Sequence, residues 1–358
     1  MKKIISAATL LFALKAIAQT DSANHAILFS GYMEAYYTYD FNKPYDHHLP
    51  SFIYSYNRHN EVNLNLGFIK ASYQKATVRA NLAFAAGTYI NANLVQEPGV
   101  LKNIFEANAG VKISKKKNIW VDAGIFPSHI GFESAIGKDC QSLTRSILAE
   151  NSPYYESGAK ISYTGNNGKW FVSGLLLNGW QRIQRPDGNN TIAFGHQLTF
   201  KPHSKITLNS SSFIGNDKPD SVKQMRYFHN FYGIFQITNK LALTAGFDIG
   251  AEQKAKGSSD YNTWYSPVVI LKLSLDSKNS IAARAEYYSD AKGVIITAPV
   301  PGGFKTWGYS VNYDYLIRDN ILWRVECRGF SSKNKIFEKE GQPVNKNLLM
   351  TTSLAISF

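Results

Sequence analysis

Arginine and glutamate alternate at Arg324, Glu326 and Arg328, and a spacing of two puts all three on one face of a β-strand. The chemistry available to such a column is electrostatic. Charges of both signs along a wall hydrate it, pair with one another and bias which ions pass. Arg79, Glu106, Arg284 and Glu286 fall on equivalent faces of their own segments. A second group lies in 127–153, "PSHIGFESAIGKDCQSLTRSILAENSP", which carries Glu133, Lys138, Asp139, Arg145 and Glu150. Folded into a pore, this segment would set its narrowest point; as a surface lid, its charges would only be solvated.

Covalent chemistry has no comparable signal. No His is followed by Glu, and there is no G-x-S-x-G, no phosphate-binding loop and no G-x-G pair. The eight histidines are scattered, and His47-His48 is the one adjacent pair, in a loop where it could catch a metal only weakly. Neither a metal nor a cofactor is expected. Cys140 and Cys327 are far apart, one in a loop and one on an outward face, and read as two unpaired thiols.

The elements that would position these charges alternate with a period of two. In "LALTAGFDIGAEQK", Leu241, Leu243, Ala245, Phe247, Ile249 and Ala251 oppose Thr244, Gly246, Asp248, Gly250 and Glu252. In "NRHNEVNLNLGF", Val62, Leu64, Leu66 and Phe68 are read as one face and His59, Glu61, Asn63 and Asn65 as the other. The pattern predicts about sixteen strands, starting near Ile27, Asn57, Ala76, Ile104, Ile119, Tyr154, Lys169, Thr191, Lys205, Met225, Lys240, Asn262, Ser280, Phe304, Asn320 and Asn347. Alternation is weakest around Gly174 and His196. Short connections interleave with long ones, 127–153 being the longest, which puts both ends of the barrel chain on the short-turn side. A short helix is expected in "SLTRSILAE", capped by Ser142.

Composition agrees. The chain has 358 residues, 44% hydrophobic but only 18% charged, with 21 Tyr, 21 Phe and 6 Trp. Mean hydropathy is −0.24, and past the N-terminus no apolar run approaches the ~18 residues of a spanning helix. Low charge and many aromatics without an apolar run are expected of a transmembrane antiparallel up-and-down β-barrel with short periplasmic turns and long extracellular loops. A soluble sandwich would alternate too, but it would not place Tyr and Trp at the strand ends of its apolar face or charges along the opposite face in mid-strand.

Residues 1–18, "MKKIISAATLLFALKAIA", have the basic, apolar and A-x-A regions of a cleaved signal peptide, leaving 19–358 as the barrel. Loss of Lys2, Lys3 and Lys15 takes the formal charge from +13 to +10. An exported chain does not meet nucleic acid, so its scattered lysines point to solvated turns and anionic headgroups. The final "NLLMTTSLAISF" alternates to its last residue, as a closing strand must. Phe358 then resembles the terminal aromatic by which the barrel-assembly machinery recognises its clients.

"AGIFPSHIGFESA" and "TRSILAENSPYYESGAKISYTGNNGKW" resemble the OmpL-like family of β-barrel porins, through Gly124, Phe126, Gly131 and Glu133, then Pro153, Tyr155, Gly158 and Tyr163. The opening "FSGYMEAYYTYDFNKP" is similar to that family's first strand. The resemblance implies a porin of a Gram-negative outer membrane and carries no catalytic residues. By position, 127–153 corresponds to the third loop that narrows wide trimeric porins. The expected function is passive diffusion of small polar solutes or ions across the lipid bilayer, with a homo-oligomer possible. A hydrolase at the barrel rim or a non-conducting adhesion barrel are the alternatives.

Overall fold

The computed structural model describes residues 27–358; the leader expected at 1–18 lies outside them. Sixteen strands close into one antiparallel barrel. They are β1 (Leu28–Asp40), β2 (Val62–Gln74), β3 (Val78–Ala86), β4 (Ile104–Lys112), β5 (Asn118–Pro127), β6 (Tyr155–Thr164), β7 (Trp170–Leu177) and β8 (Ala193–His203). The second half has β9 (Ile206–Gly215), β10 (Arg226–Gln236), β11 (Leu241–Gln253), β12 (Tyr261–Ser274), β13 (Asn279–Asp290), β14 (Phe304–Arg318), β15 (Ile321–Ser331) and β18 (Lys346–Ser357). Two further short strands, β16 (Phe337–Lys339) and β17 (Gln342–Val344), form a hairpin inside the last long connection, where alternation predicts none.

Every barrel strand pairs with its neighbours in sequence, and β1 pairs with β18 to close the ring. Closure leaves no ladder edge, which is what a hydrocarbon environment demands of backbone N–H and C=O groups. The seam is tied to the last residue: Gly31 N–H donates to the Phe358 carbonyl at 2.7 Å, and Phe358 N–H to the Gly31 carbonyl at 3.0 Å. Gly31 also makes room for the terminal ring, since a Cβ there would meet Phe358 at 2.3 Å.

On β18, Leu348, Met350, Leu354 and Ile356 are exposed and Asn347, Leu349, Thr351, Ser353 and Ala355 buried, as the period of two requires. Outward aromatics gather at both rims. On the long-loop side Tyr227 packs on Tyr261, and Tyr265, Tyr287 and Trp307 touch in series; Trp170–Phe200 and Tyr313–Trp323 pack on the short-turn side. These are the interfacial belts of a membrane barrel.

Three expectations need correction. β2 begins at Val62 rather than near Asn57, because Tyr56 and Asn60 take positive φ (54° and 57°) and break the extended chain. Leu66 and Phe68 also do not share the face of Val62. The β1–β2 register shifts between Glu34 and Ala35, leaving Asn65 as an extra residue, and one extra residue flips every later side chain. Leu66 is consequently fully buried, and Ile69 faces outward. Finally, the helix in 142–150 shrinks to α2 (Ile147–Glu150; α1 is Thr88–Asn93), capped by Ser146 and not by Ser142. Ser142 Oγ donates instead to the Thr144 carbonyl at 3.2 Å.

Candidate functional site in the lumen

The inward faces of β13, β14 and β15 bring Arg284 and Glu286, Asn312 and Asp314, and Arg324, Glu326 and Arg328 side by side, because the register sets Arg284 opposite Ser310 and Ser310 opposite Arg328. Alternation alone delivers this block. Arg324 grips Asp314 in a fork, 2.6 Å from Nε and 3.1 Å from Nη2. Arg284 reaches Glu326 at 2.9 Å and Arg328 reaches Glu286 at 2.6 Å. Three guanidinium groups meet three carboxylates, so the block carries little net charge.

None of these groups faces open solvent: Arg284, Glu286, Arg324, Glu326 and Arg328 are all buried, and what covers them is the segment 127–153. Thr144 N–H donates to Glu326 and Ile147 N–H to Glu286, both at 2.6 Å. Arg284 donates to the Thr144 carbonyl at 2.7 Å and to the Ser142 hydroxyl at 3.1 Å. Arg324 donates to the carbonyls of Gly137 and Cys140 at 2.8 and 3.1 Å, and Leu143 N–H donates to Asn312 Oδ1 at 3.0 Å. A loop brought into an interior must have its backbone polar groups satisfied, and here the wall's charged side chains satisfy them. Charge-assisted bonds of this kind are the strong ones.

The near end of the segment is fastened separately. His129 sits between Glu156 (Nδ1, 2.8 Å) and the Ser212 carbonyl (Nε2, 2.8 Å), and Gly131 N–H donates to Asn230 at 3.2 Å. Burial disfavours a charged His129, but the Glu156 carboxylate outweighs it and raises its pKa. The segment therefore runs from β6, β9 and β10 to β13–β15. Its far end meets the first long connection, where Glu150 accepts from Tyr54 N–H at 3.1 Å and from Ser55 N–H. Burial pushes the Glu150 carboxyl up to about 7.

The five charges read from this segment divide. Arg145 is fully buried and turns back on its own loop, donating to the carbonyls of Ser134, Leu143 and Ala135. Glu133 is half-buried, accepts from the N–H and hydroxyl of Ser146, and has its carboxyl raised by burial. Lys138 and Asp139 are exposed and pair with each other at 2.7 Å. Arg79 and Glu106 lie on the far wall, where Arg79 forks onto Asp122 and Glu106 takes Lys70 at 2.5 Å.

Opposite the block, the segment leaves space. A cavity of about 340 Å³ separates residues 127–136 from β2 and β4. Tyr32, Phe68 and Phe105 stack along this wall with ring centroids 5.8 and 5.2 Å apart. Sequence reasoning missed this stack, because Phe68 turns inward only after the Asn65 bulge and Phe105 sits at a second register shift, in β3–β4. On the other side, Phe52 of the first long connection packs on Phe304, Phe330 and Phe337 and fills the long-loop end above β14 and β15.

A polar cluster interrupts the outward wall. His196 meets Ser212 at 2.6 Å and Ser210 at 3.2 Å, and Ser210 meets His229 at 3.0 Å. This cluster explains the weak alternation near His196. Both cysteines are free, and among the described residues no group of three His, Cys, Asp or Glu is placed to hold a metal.

The family model described as "Putative beta-barrel porin-2, OmpL-like" matches residues 26–358. Among solved structures, the chain is similar to an anion-selective porin from Comamonas acidovorans, with a TM-score of 0.60 at 7% identity, covering 94% of this chain and 100% of that one. It is similar to OmpT of Vibrio cholerae in its trimer form (TM-score 0.59, 9% identity, 94% and 100% covered). The outer membrane channel DcaP of Acinetobacter baumannii gives a TM-score of 0.56 at 9% identity, with 94% and 99% covered. Comparison with curated proteins gives no match.

Proposed function

The chain belongs to the OmpL-like family of outer-membrane β-barrel porins, and from that premise we propose that small polar solutes and ions cross it passively, through a hydrated lumen narrowed by the segment 127–153. The observation that carries the narrowing is that Arg284 and Arg324 donate hydrogen bonds to that segment, and Glu286 and Glu326 accept them from its backbone N–H groups. A charged wall that binds a loop rather than solvent is a brace. The passage then follows the opposite wall, β2–β6, where charged side chains stay half-exposed. A hydrated path lowers the cost of moving a polar solute past hydrocarbon, and pore width and lining set what passes. No catalytic role is assigned to any residue.

Purified protein in a planar bilayer should give discrete ion-conducting steps. Folded protein, shown by heat-modifiable gel mobility, that gives no steps would sink this reading in favour of a rim hydrolase or an adhesion barrel. The reading includes export by a cleaved leader, 1–18, and assembly through the last strand. Deleting Phe358 should lower the yield of heat-modifiable protein while leaving the conductance of inserted channels unchanged; an unchanged yield would remove its assembly role.

We also propose a second copy of the chain as a lateral partner, seated on the outward face of β8–β10. Polar groups facing lipid are costly, and the His196–Ser210–Ser212–His229 cluster satisfies itself only in part. A solved structure with this fold, OmpT of Vibrio cholerae, is described in a trimer form. Mass measurement in mild detergent should give a homo-oligomer, and His196→Leu with His229→Phe should shift its stability. A strictly monomeric wild-type protein would overturn the assignment.

A further inference from the structure

Positive charge is concentrated at one end of this barrel and on one wall of its lumen. The seven short turns carry eight lysines, among them the run Lys115–Lys117, against two acids, Asp276 and Asp319. All eight lysines are exposed. The long connections mix both signs. Just inside the short-turn mouth, an open recess of about 780 Å³ is lined by Lys75, Arg79 and Lys112 with Trp120, and no carboxylate is among its lining residues.

The lumen wall above it repeats the bias. Where a cation and a carboxylate pair there, the cation is the accessible partner. Side-chain exposure is 31% for Arg79 against 6% for Asp122, and 27% for Lys70 against 9% for Glu106. Each carboxylate lies against the wall beneath its cation. Lys112 and Lys160 are half-buried and make no salt bridge among the described residues. Lys160 stands opposite Asp122 in register, with its Nζ 4.7 Å from the centre of the Phe126 ring. The balanced Arg–Glu block of β13–β15 is covered and has no view of the path.

We infer that the channel selects small anions, and that Arg79, Lys112 and Lys160 on the β3–β6 wall, with the lysine-rich short-turn mouth in front of them, set this preference. The inference rests on the diffusion-channel reading above and names its solute class. A permeating ion responds to the charge it can approach rather than to the formal total. One elementary charge about 5 Å from the path changes local ion concentration roughly fourfold in water before salt screening. Lys112 and Lys160 are two such charges with no salt-bridged carboxylate, and Arg79 stands in front of its own partner Asp122, so the wall favours chloride over potassium. The shared chemistry of the mouth, a monovalent or phosphate anion, could also come from lipid headgroups at the rim, so the test separates rim from lumen.

The experiment is a reversal-potential measurement in a tenfold potassium chloride gradient, with wild type and two variant sets, each checked by heat-modifiable mobility. Wild type should favour chloride several-fold. The double variant Lys112→Gln, Lys160→Gln strips no carboxylate of a partner, so it should fold, and it should bring the ratio toward unity. Substituting Lys115, Lys116 and Lys117 with Gln should change the ratio less than the lumen pair does. A cation-selective or non-selective wild type overturns the inference, as does a double variant with unchanged selectivity. A larger effect from the turn lysines than from the lumen pair overturns the assignment to the wall and leaves a rim or headgroup effect. Absence of any conductance would instead fail the channel reading itself.

Discussion

Arg284→Ala should raise single-channel conductance, make the open current noisier, and open the segment 127–153 to trypsin at Lys138 or Arg145, while the barrel remains heat-modifiable. Arg284 lies at the centre of the brace. It donates to Ser142 Oγ, to the Thr144 carbonyl and hydroxyl and to Glu326, and its Nε lies 3.3 Å from Glu286. Removing it takes three hydrogen bonds from the loop and the one to Glu326, which is left buried with no salt-bridge partner. Breaking a buried pair from one side costs about 3–5 kcal/mol, which moves the docked-to-released ratio of the loop by roughly a hundredfold or more.

That cost should fall on the loop and not on the barrel. The main-chain pairing of β13 with β12 and β14 runs over most of its length and does not involve the Arg284 side chain. Releasing the loop lets Glu326 rehydrate, so the strain has an exit short of unfolding. A folded Arg284→Ala barrel with wild-type conductance and a protease-resistant loop would show that the brace is dispensable. Arg145→Ala is an informative contrast. Arg145 bonds only its own loop's carbonyls, so its loss should loosen the loop internally while its anchors on the wall persist.

The barrel itself was legible because a period of two is a property of the chain alone. Fifteen of the sixteen strand starts fall within two residues of where the pattern puts them, β2 being the exception; Leu241–Gln253 and Lys346–Ser357 can be read off directly. What escaped reading depends on a partner strand or on a distant segment. The Asn65 bulge is a statement about β1 as much as β2, and it decides whether Phe68 meets lipid or lumen. The lumen face of Arg284, Arg324 and Arg328 was evident, but their burial was not, because the atoms that cover them come from a loop more than 130 residues earlier. The difference in accessibility between Arg79 and Asp122 is likewise invisible in a sequence, where the two signs simply cancel.

Gly158→Val should abolish heat-modifiable folding, whereas Gly174→Ala, on the neighbouring strand, should be tolerated. Gly158 and Gly124 stand opposite each other in the β5–β6 register, both with positive φ, 156° and 125°. A Cβ on Gly158 would lie 1.9 Å from the Leu176 carbonyl oxygen, and one on Gly124 would lie 2.2 Å from that of Ala107. The obstacles are ladder backbone atoms of β7 and β4, which cannot rotate aside as a side chain can. A non-glycine residue in such a region costs roughly 1–3 kcal/mol for its dihedral alone, and here the clash would also part β6 from β7. A barrel cannot lose one pairing and keep the rest, because an opened seam exposes a full edge to lipid. By contrast, the nearest atom to a Cβ on Gly174 is an Ile161 methyl at 3.8 Å, an ordinary contact on the lipid face. The same geometry gives a physical reason for two of the glycines in the resemblance to the porin family: they sit where strand approaches strand too closely for any side chain. If Gly158→Val yielded folded, conducting channels at the wild-type level, the close approach of β6 to β7 would be wrong.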